Sequence, residues 1–218
     1  GEQKINHTGN RLYRNNGDRT FTEITDRAGV RDGGWGWAVV FIDYDNDGDP
    51  DLVMANGVDF PNDKDGAGFD DDAMRFWEND GAGNFTEIAG EIGLVDTGVG
   101  KGFVKFDFDR DGDLDLFVVN NRSRPVLYRN DGGNVNGWLR VRVDGPLKGI
   151  GARLMMTPAP GARVQVHEIS AGSNFLSQDE LTAHFGLGPG DAPVHRLTVR
   201  WQDGGIATAG VPSSGESP

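Results

Sequence analysis

An all-β fold is predicted by three observations. One nine-residue acidic phrase occurs twice, DYDNDGDPD at 43–51 and DFDRDGDLD at 107–115, about 64 residues apart. Short β-branched and aromatic runs flank both copies: WAVVFI and LVMAN around the first, FVKF and LFVVN around the second. Such runs, bounded by Gly, Asn and Asp, read as buried strands. The chain also has 34 glycines, many in Asn-Gly, Asp-Gly and Gly-Gly pairs, which supply turn positions at the density an all-β chain needs.

Both acidic phrases fit D-x-D-x-D-G-D-x-D. Aspartates this dense repel one another unless a cation sits among them. Alternate spacing lets a tight turn aim the first, third and fifth side chains at one centre, and glycine at the sixth position (Gly48, Gly112) permits the bend. This is the logic of a calcium loop. An EF-hand is excluded, because it requires a bidentate Glu at position twelve and flanking helices, and Met54 and Val118 stand there. Each loop is expected to be a turn between two strands. The expected side-chain ligands are Asp43, Asp45, Asp47 and Asp51 in the first loop and Asp107, Asp109, Asp111 and Asp115 in the second. Asp49 and Asp113 are expected to offer backbone carbonyls.

A chain of 218 residues suffices for one or two domains with a real core. Its 34 acidic and 21 basic residues leave a net charge of −13, which argues against nucleic acid and anionic membrane as partners. There is no cysteine, so disulfides, thiolate catalysis and cysteine-based zinc sites are excluded. No apolar run reaches the roughly 18 residues of a membrane span, and no signal peptide is read at the start of the chain. Loops of this kind fill at roughly millimolar calcium, a concentration found outside the cytoplasm. The expected location is therefore extracellular, at the cell surface or periplasmic.

A second phrase accompanies the acidic loops: NRLYRNNGDRTFTEIT at 10–25, RFWENDGAGNFTEIA at 75–89 and RPVLYRNDGGNV at 124–135. An aromatic strand, an Asn-rich turn and, in the first two, a returning strand make this a β-hairpin signature. The repeat unit is then about 64 residues with about four strands, a period that implies a propeller or a stacked array. The run GWGWAVVFIDYDNDGD at 34–49 and LYRNNG at 12–17 resemble FG-GAP/VCBS repeats, the blades of integrin-α-like β-propellers. The resemblance implies calcium held between strands of a blade. With two loops and three hairpin phrases in residues 1–135, the expected architecture is an incomplete propeller.

From about residue 136 simple alternation takes over. In WLRVRV at 138–143, Leu139, Val141 and Val143 share a face; in ARVQVHEI at 162–169, Val164 and Val166 oppose Arg163, Gln165 and His167; in HRLTVRW at 195–201, Leu197, Val199 and Trp201 align. These read as half-buried antiparallel strands. The segment GIGARL…QVHEISAGSNFLSQ…HFGLG…LTVRW, 149–201, resembles the ASPIC/UnbV domain, with Asn174 and Phe175 where Gly and Tyr are usual. In bacterial secreted proteins and the cartilage acidic protein family that domain follows FG-GAP repeats. The expected organisation is calcium-binding repeats at 1–135, an ASPIC/UnbV-like β domain at 136–209 and a disordered tail at 210–218.

No catalytic constellation is found. His7, His167, His184 and His195 lack metal spacing, and His167 is expected to be solvated on a polar face. No G-x-S-x-G, Walker A or dinucleotide fingerprint occurs. Residues 58–74 are read as a long exposed acidic loop, with a third calcium site from Asp63, Asp65, Asp70, Asp71 or Asp72 as the alternative. Trp35, Trp37 and Trp201 are expected in the core, with weaker claims for Trp77 and Trp138. Asn6, Asn84 and Asn121 open glycosylation sequons. The sequence thus points to a non-enzymatic, calcium-stabilised extracellular binding, adhesion or assembly protein. Its expected partners are protein, or further copies joined through exposed strand edges. An accessory carbohydrate-binding module is the alternative, with glycan as its ligand.

Overall fold

The computed structural model describes residues 9–58, 71–190 and 194–209. Asp63, Asp65, Asp70, the sequon at Asn6, and the tail 210–218 lie outside them. The described residues are nearly all β. The one α-helix among them, α1 (Thr25–Ala28), is four residues long and stops at Gly29 in the left-handed conformation. No helix of the described residues is long and apolar enough to cross a membrane.

Among the described residues, fifteen strands form several antiparallel sheets. β1 (Tyr13–Asn15) pairs with β2 (Phe21–Glu23). β3 (Ala38–Ile42), β4 (Asp51–Ala55), β5 (Arg75–Asn79) and β6 (Phe85–Glu87) form a four-stranded sheet in chain order. β7 (Gly100–Phe106), β8 (Asp115–Asn120) and β9 (Val126–Tyr128) repeat the first three positions of that meander. The acidic turns join β3 to β4 and β7 to β8, between strands as expected. The sheets also set the phase of the repeat: a blade is strand, acidic turn, strand, then hairpin. The third hairpin phrase turns into a 3-10 segment at Gly133–Val135 instead of returning as a strand.

The chain divides into two compact units. In the unit formed by residues 1–41, 51–102 and 118–126, the core gathers Ala28, Val30, Leu52, Met54 and Trp77, flanked by Leu12, Ile24 and Phe85. All of β4 is buried. The run ahead of the first turn departs from expectation, since β3 is an end strand and leaves Val39 and Phe41 exposed. The tryptophans are also redistributed. Trp77, on an interior strand, is 1% exposed, whereas Trp35 is 38% exposed. Trp37 lies half-buried beside it, under the Lys101 ammonium.

The other unit, residues 42–50, 103–117 and 127–218, contains β10 (Gly137–Arg142) paired with β13 (Thr182–Gly188). It also contains the sheet β12-β11-β14-β15, made from Gln165–Glu168, Arg153–Thr157, Arg196–Arg200 and Ile206–Ala209. Its core holds Val143, Leu154, Met156, Ile169, Phe185 and Leu197, with Leu139, Val141, Val199 and Trp201 packed against them. The alternation expected in 138–143 and 195–201 is present. That of 162–169 is present with its faces exchanged: Val164 and Val166 are exposed. Register explains the inversion, because His167 stands opposite Leu154 and Gln165 opposite Met156, and directly opposed residues share a face. Leu154 and Met156 are fully buried, so His167 is drawn inward, edge-on to Phe185 at 6.1 Å between ring centroids.

Leu154 fills the centre of this core, and truncating it leaves a cavity as well as lost apolar burial. Leu154→Ala is expected to cost about 2–5 kcal/mol, read from urea unfolding at unchanged m-value. Burial pushes His167 down to about 4 and His184 down to about 3, helped by the charges of Lys105 and Arg140 respectively. At these two histidines the unfolded chain therefore binds more protons than the folded one below about pH 6.5, and their contribution to stability falls as pH drops from there toward the folded values. Between pH 7 and pH 5 the urea midpoint of the unsubstituted chain should move downward relative to that of His167→Gln; a constant difference between the two contradicts a buried neutral His167.

Candidate metal centres

The two acidic turns share one backbone form. The fourth residue of each is left-handed, Asn46 at φ 59° and Arg110 at φ 64°, and the sixth is Gly48 at φ 92° or Gly112 at φ 99°. Only glycine takes the latter values without strain. A Cβ at Gly112 would also run into the indole of Trp138.

These bends gather carboxylates. Asp43, Asp45 and Asp51 each offer an oxygen within 4.8 Å of the others, and Asp107, Asp109 and Asp115 do the same. First, third and ninth positions thus converge in both turns, and either cluster could hold a metal ion. The fifth-position residues are not part of these clusters. Asp47 accepts the Asp49 N–H at 2.7 Å, and Asp111 accepts from the Asn134 amide at 2.9 Å. The seventh positions differ between turns: Asp49 pairs with Arg163 at 2.7 Å, whereas Asp113 is fully buried and accepts from Asn134 N–H at 3.4 Å. Of the alternative third set, Asp72 is occupied by Arg75 at 3.0 Å and by the Trp35 N–H.

The ninth aspartate has a second task. Asp51 accepts the Asn79 N–H at 2.8 Å, and Asp115 accepts the Asn130 N–H at 2.8 Å. Both asparagines open the hairpin turn that follows, so the acidic phrase and the Asn-rich phrase of one repeat are locked in register.

The electrostatics test whether a cation fits. Asp43 Oδ2 accepts N–H groups of Gly48 and Gly186, each at 3.1 Å. Its Oδ1 is buried and accepts no hydrogen bond, as is Oδ1 of Asp113. A buried carboxylate oxygen with no donor is costly. Burial, then the neighbouring charges of Asp47 and Asp45, pushes Asp43 up to about 7. Burial and the adjacent Asp111 raise Asp113 to about 7, and burial also raises Asp115. All-oxygen donors, some lacking hydrogen-bond donors of their own, fit a hard divalent cation.

Several residues that organise these turns escaped the sequence reading. Asn46 is fully buried; its amide donates to the carbonyls of Gly112 at 2.9 Å and Gly133 at 3.1 Å, and its oxygen lies 2.6 Å from His184 Nε2. One side chain thereby links the first turn, the second turn and β13. Asn130 donates to the Tyr44 carbonyl at 2.6 Å, and Asn136 to that of Asp45 at 2.9 Å. The run NDGGNVN at 130–136, with asparagines at 130, 134 and 136, was the available signal for Asn130 and Asn136. Arg140, on the face of β10 opposite Leu139 and Val141, holds Asp107 at 2.8 Å and Glu180 at 2.7 Å, with only 21% of its side chain exposed.

Removing the buried Asn46 amide leaves two carbonyls and His184 without partners. Asn46→Ala should therefore destabilise the fold by about 2–4 kcal/mol in thermal or urea unfolding; a loss below about 0.5 kcal/mol would show that the bridge is dispensable.

Comparison with known proteins agrees with this layout. Residues 5–54 match the FG-GAP-like repeat model, and residues 144–214 match the ASPIC and UnbV model. Cartilage acidic protein 1 of Xenopus tropicalis is 29% identical across 93% of this chain, and that of Homo sapiens is 29% identical across 95%. The Mus musculus protein is 36% identical across 55% of the chain. The chain spans 39% of the length of the frog and human relatives. The two matches follow one another along the chain, the FG-GAP-like repeat first and the ASPIC and UnbV match second.

Proposed function

We propose that this chain is a calcium-stabilised extracellular scaffold that works by binding or assembly and carries no catalytic site of its own. The observation that carries the reading is the pair of convergent carboxylate clusters, with Asp43 Oδ1 buried and undonated in the first. Oxygen donors in strand-to-strand turns suit calcium, and millimolar calcium is an extracellular condition. The likeness to relatives named for cartilage supports the same location. A protein partner or a second copy fits best as the binding target, because β3 is an end strand among the described residues and leaves Val39 exposed.

A second reading has its own observation. Trp35 is exposed beside Trp37, with ring centroids 6.3 Å apart. An exposed indole suits the apolar face of a sugar ring, so a glycan is the alternative ligand. Glycan-array binding lost in Trp35→Ala would favour it over the assembly reading.

If each site has a dissociation constant near 10 µM, about 1 mM calcium stabilises the fold by about 2.7 kcal/mol per site. Excess EDTA should then lower the melting temperature sharply, with recovery on adding calcium. An identical melting curve in EDTA and in calcium rejects structural calcium. Asp45→Ala should abolish roughly half of the calcium-dependent shift, and loss of the whole shift would mean that the two turns do not bind independently.

A further inference from the structure

Asp43 and Asp107 hold the same place in their turns but face different partners. Asp43 accepts two neutral backbone donors on one oxygen and none on the other. Asp107 has both oxygens engaged: Oδ1 accepts the Asp111 N–H at 3.1 Å, and Oδ2 meets Arg140 Nη1 at 2.8 Å. We propose that Arg140 is a resident competitor for the second turn, a fixed positive charge that lowers that turn's calcium affinity. The inference rests on the calcium reading above and concerns the regulation of one of its two sites.

The physical case is one of charge and constraint. A guanidinium carries a fixed, delocalised positive charge whose planar fork matches a carboxylate. The Asp107 side chain is 1% exposed and that of Arg140 is 21% exposed, which keeps solvent from screening the pair. Arg140 cannot easily swing aside. Its backbone is held in β10 opposite His184 of β13, and its second nitrogen is gripped by both oxygens of Glu180 at 2.7 and 2.8 Å. A divalent ion among Asp107, Asp109 and Asp115 must therefore share Asp107 with a positive charge in direct contact. Glu180 offsets part of that charge and sets how strongly Arg140 competes.

Among the described residues, the first turn has no equivalent ion pair at its leading aspartate. Arg163 meets that turn at Asp49, outside the carboxylate cluster, with 67% of its side chain exposed. Lys105 also feels Asp43, but the opposing charge that dominates at Lys105 is Asp179.

Competition and scaffolding predict different signs. If Arg140 opposes the cation, Arg140→Met tightens the second site, and Glu180→Gln, which strips Arg140 of its counter-charge, weakens it. If the Asp107–Arg140–Glu180 chain only shapes the turn, both substitutions weaken binding. The measurement is calcium titration calorimetry on the full chain carrying Asp45→Asn, which leaves the second turn as the site under study. A roughly tenfold lower dissociation constant is expected for Arg140→Met, and a several-fold higher one for Glu180→Gln. Equal or weaker binding by Arg140→Met overturns the proposal. Should that variant not fold, tighter or unchanged binding by Glu180→Gln overturns it instead. Absence of calcium binding in both the unsubstituted chain and the Asp45→Asn chain would sink the calcium reading itself, a result distinct from two variants that move together.

Discussion

Carboxylates brought within 4.8 Å of one another in a tight turn repel, and the surroundings must answer that repulsion. Here the answer is divided. Backbone N–H groups point into the turns, donating to Asp43, Asp107 and Asp115. Arginines meet Asp49 and Asp107. What remains, above all the undonated Asp43 Oδ1, is the share that a cation would compensate. The strand pairing, the hairpin register and the packing of the C-terminal strands all attach to these two bends.

The attachment is made by amides. Asn46, Asn130, Asn134 and Asn136 place donors on the outward carbonyls and carboxylates of the turns. A tight turn leaves several carbonyls without partners inside its own chain, and burying them requires donors from elsewhere. Asparagine meets that need while adding no charge to a region already strongly negative. One unit contains residues 42–50 and 103–117 together with β10 to β15.

The polar groups buried beside the turns differ in how they are satisfied. His184 gives one ring nitrogen to Asn46, while its Nδ1 is buried without a partner. Arg140 satisfies Nη1 and Nη2 on two carboxylates and leaves Nε without a partner. Such partly satisfied networks are sensitive to any change in charge next to them.

The acidic turns, their strand flanks and the hairpins were legible from residues alone, because local spacing dictates them: alternate aspartates with glycine at position six, and β-branched runs ending at Asn-Gly pairs. The alternation of 162–169 was legible too, but its direction was not. Which face of a strand turns inward depends on what lies opposite, and Leu154 and Met156 belong to another strand. Burial of Trp77 and exposure of Trp35 were decided in the same way, by interior or peripheral position in the unit. The fates of Arg140 and Asn46 depended on partners 33 to 138 residues distant. Sequence spacing carries the geometry of a turn because a turn is made of neighbours; the charge that faces it is set by chain segments that only folding brings alongside.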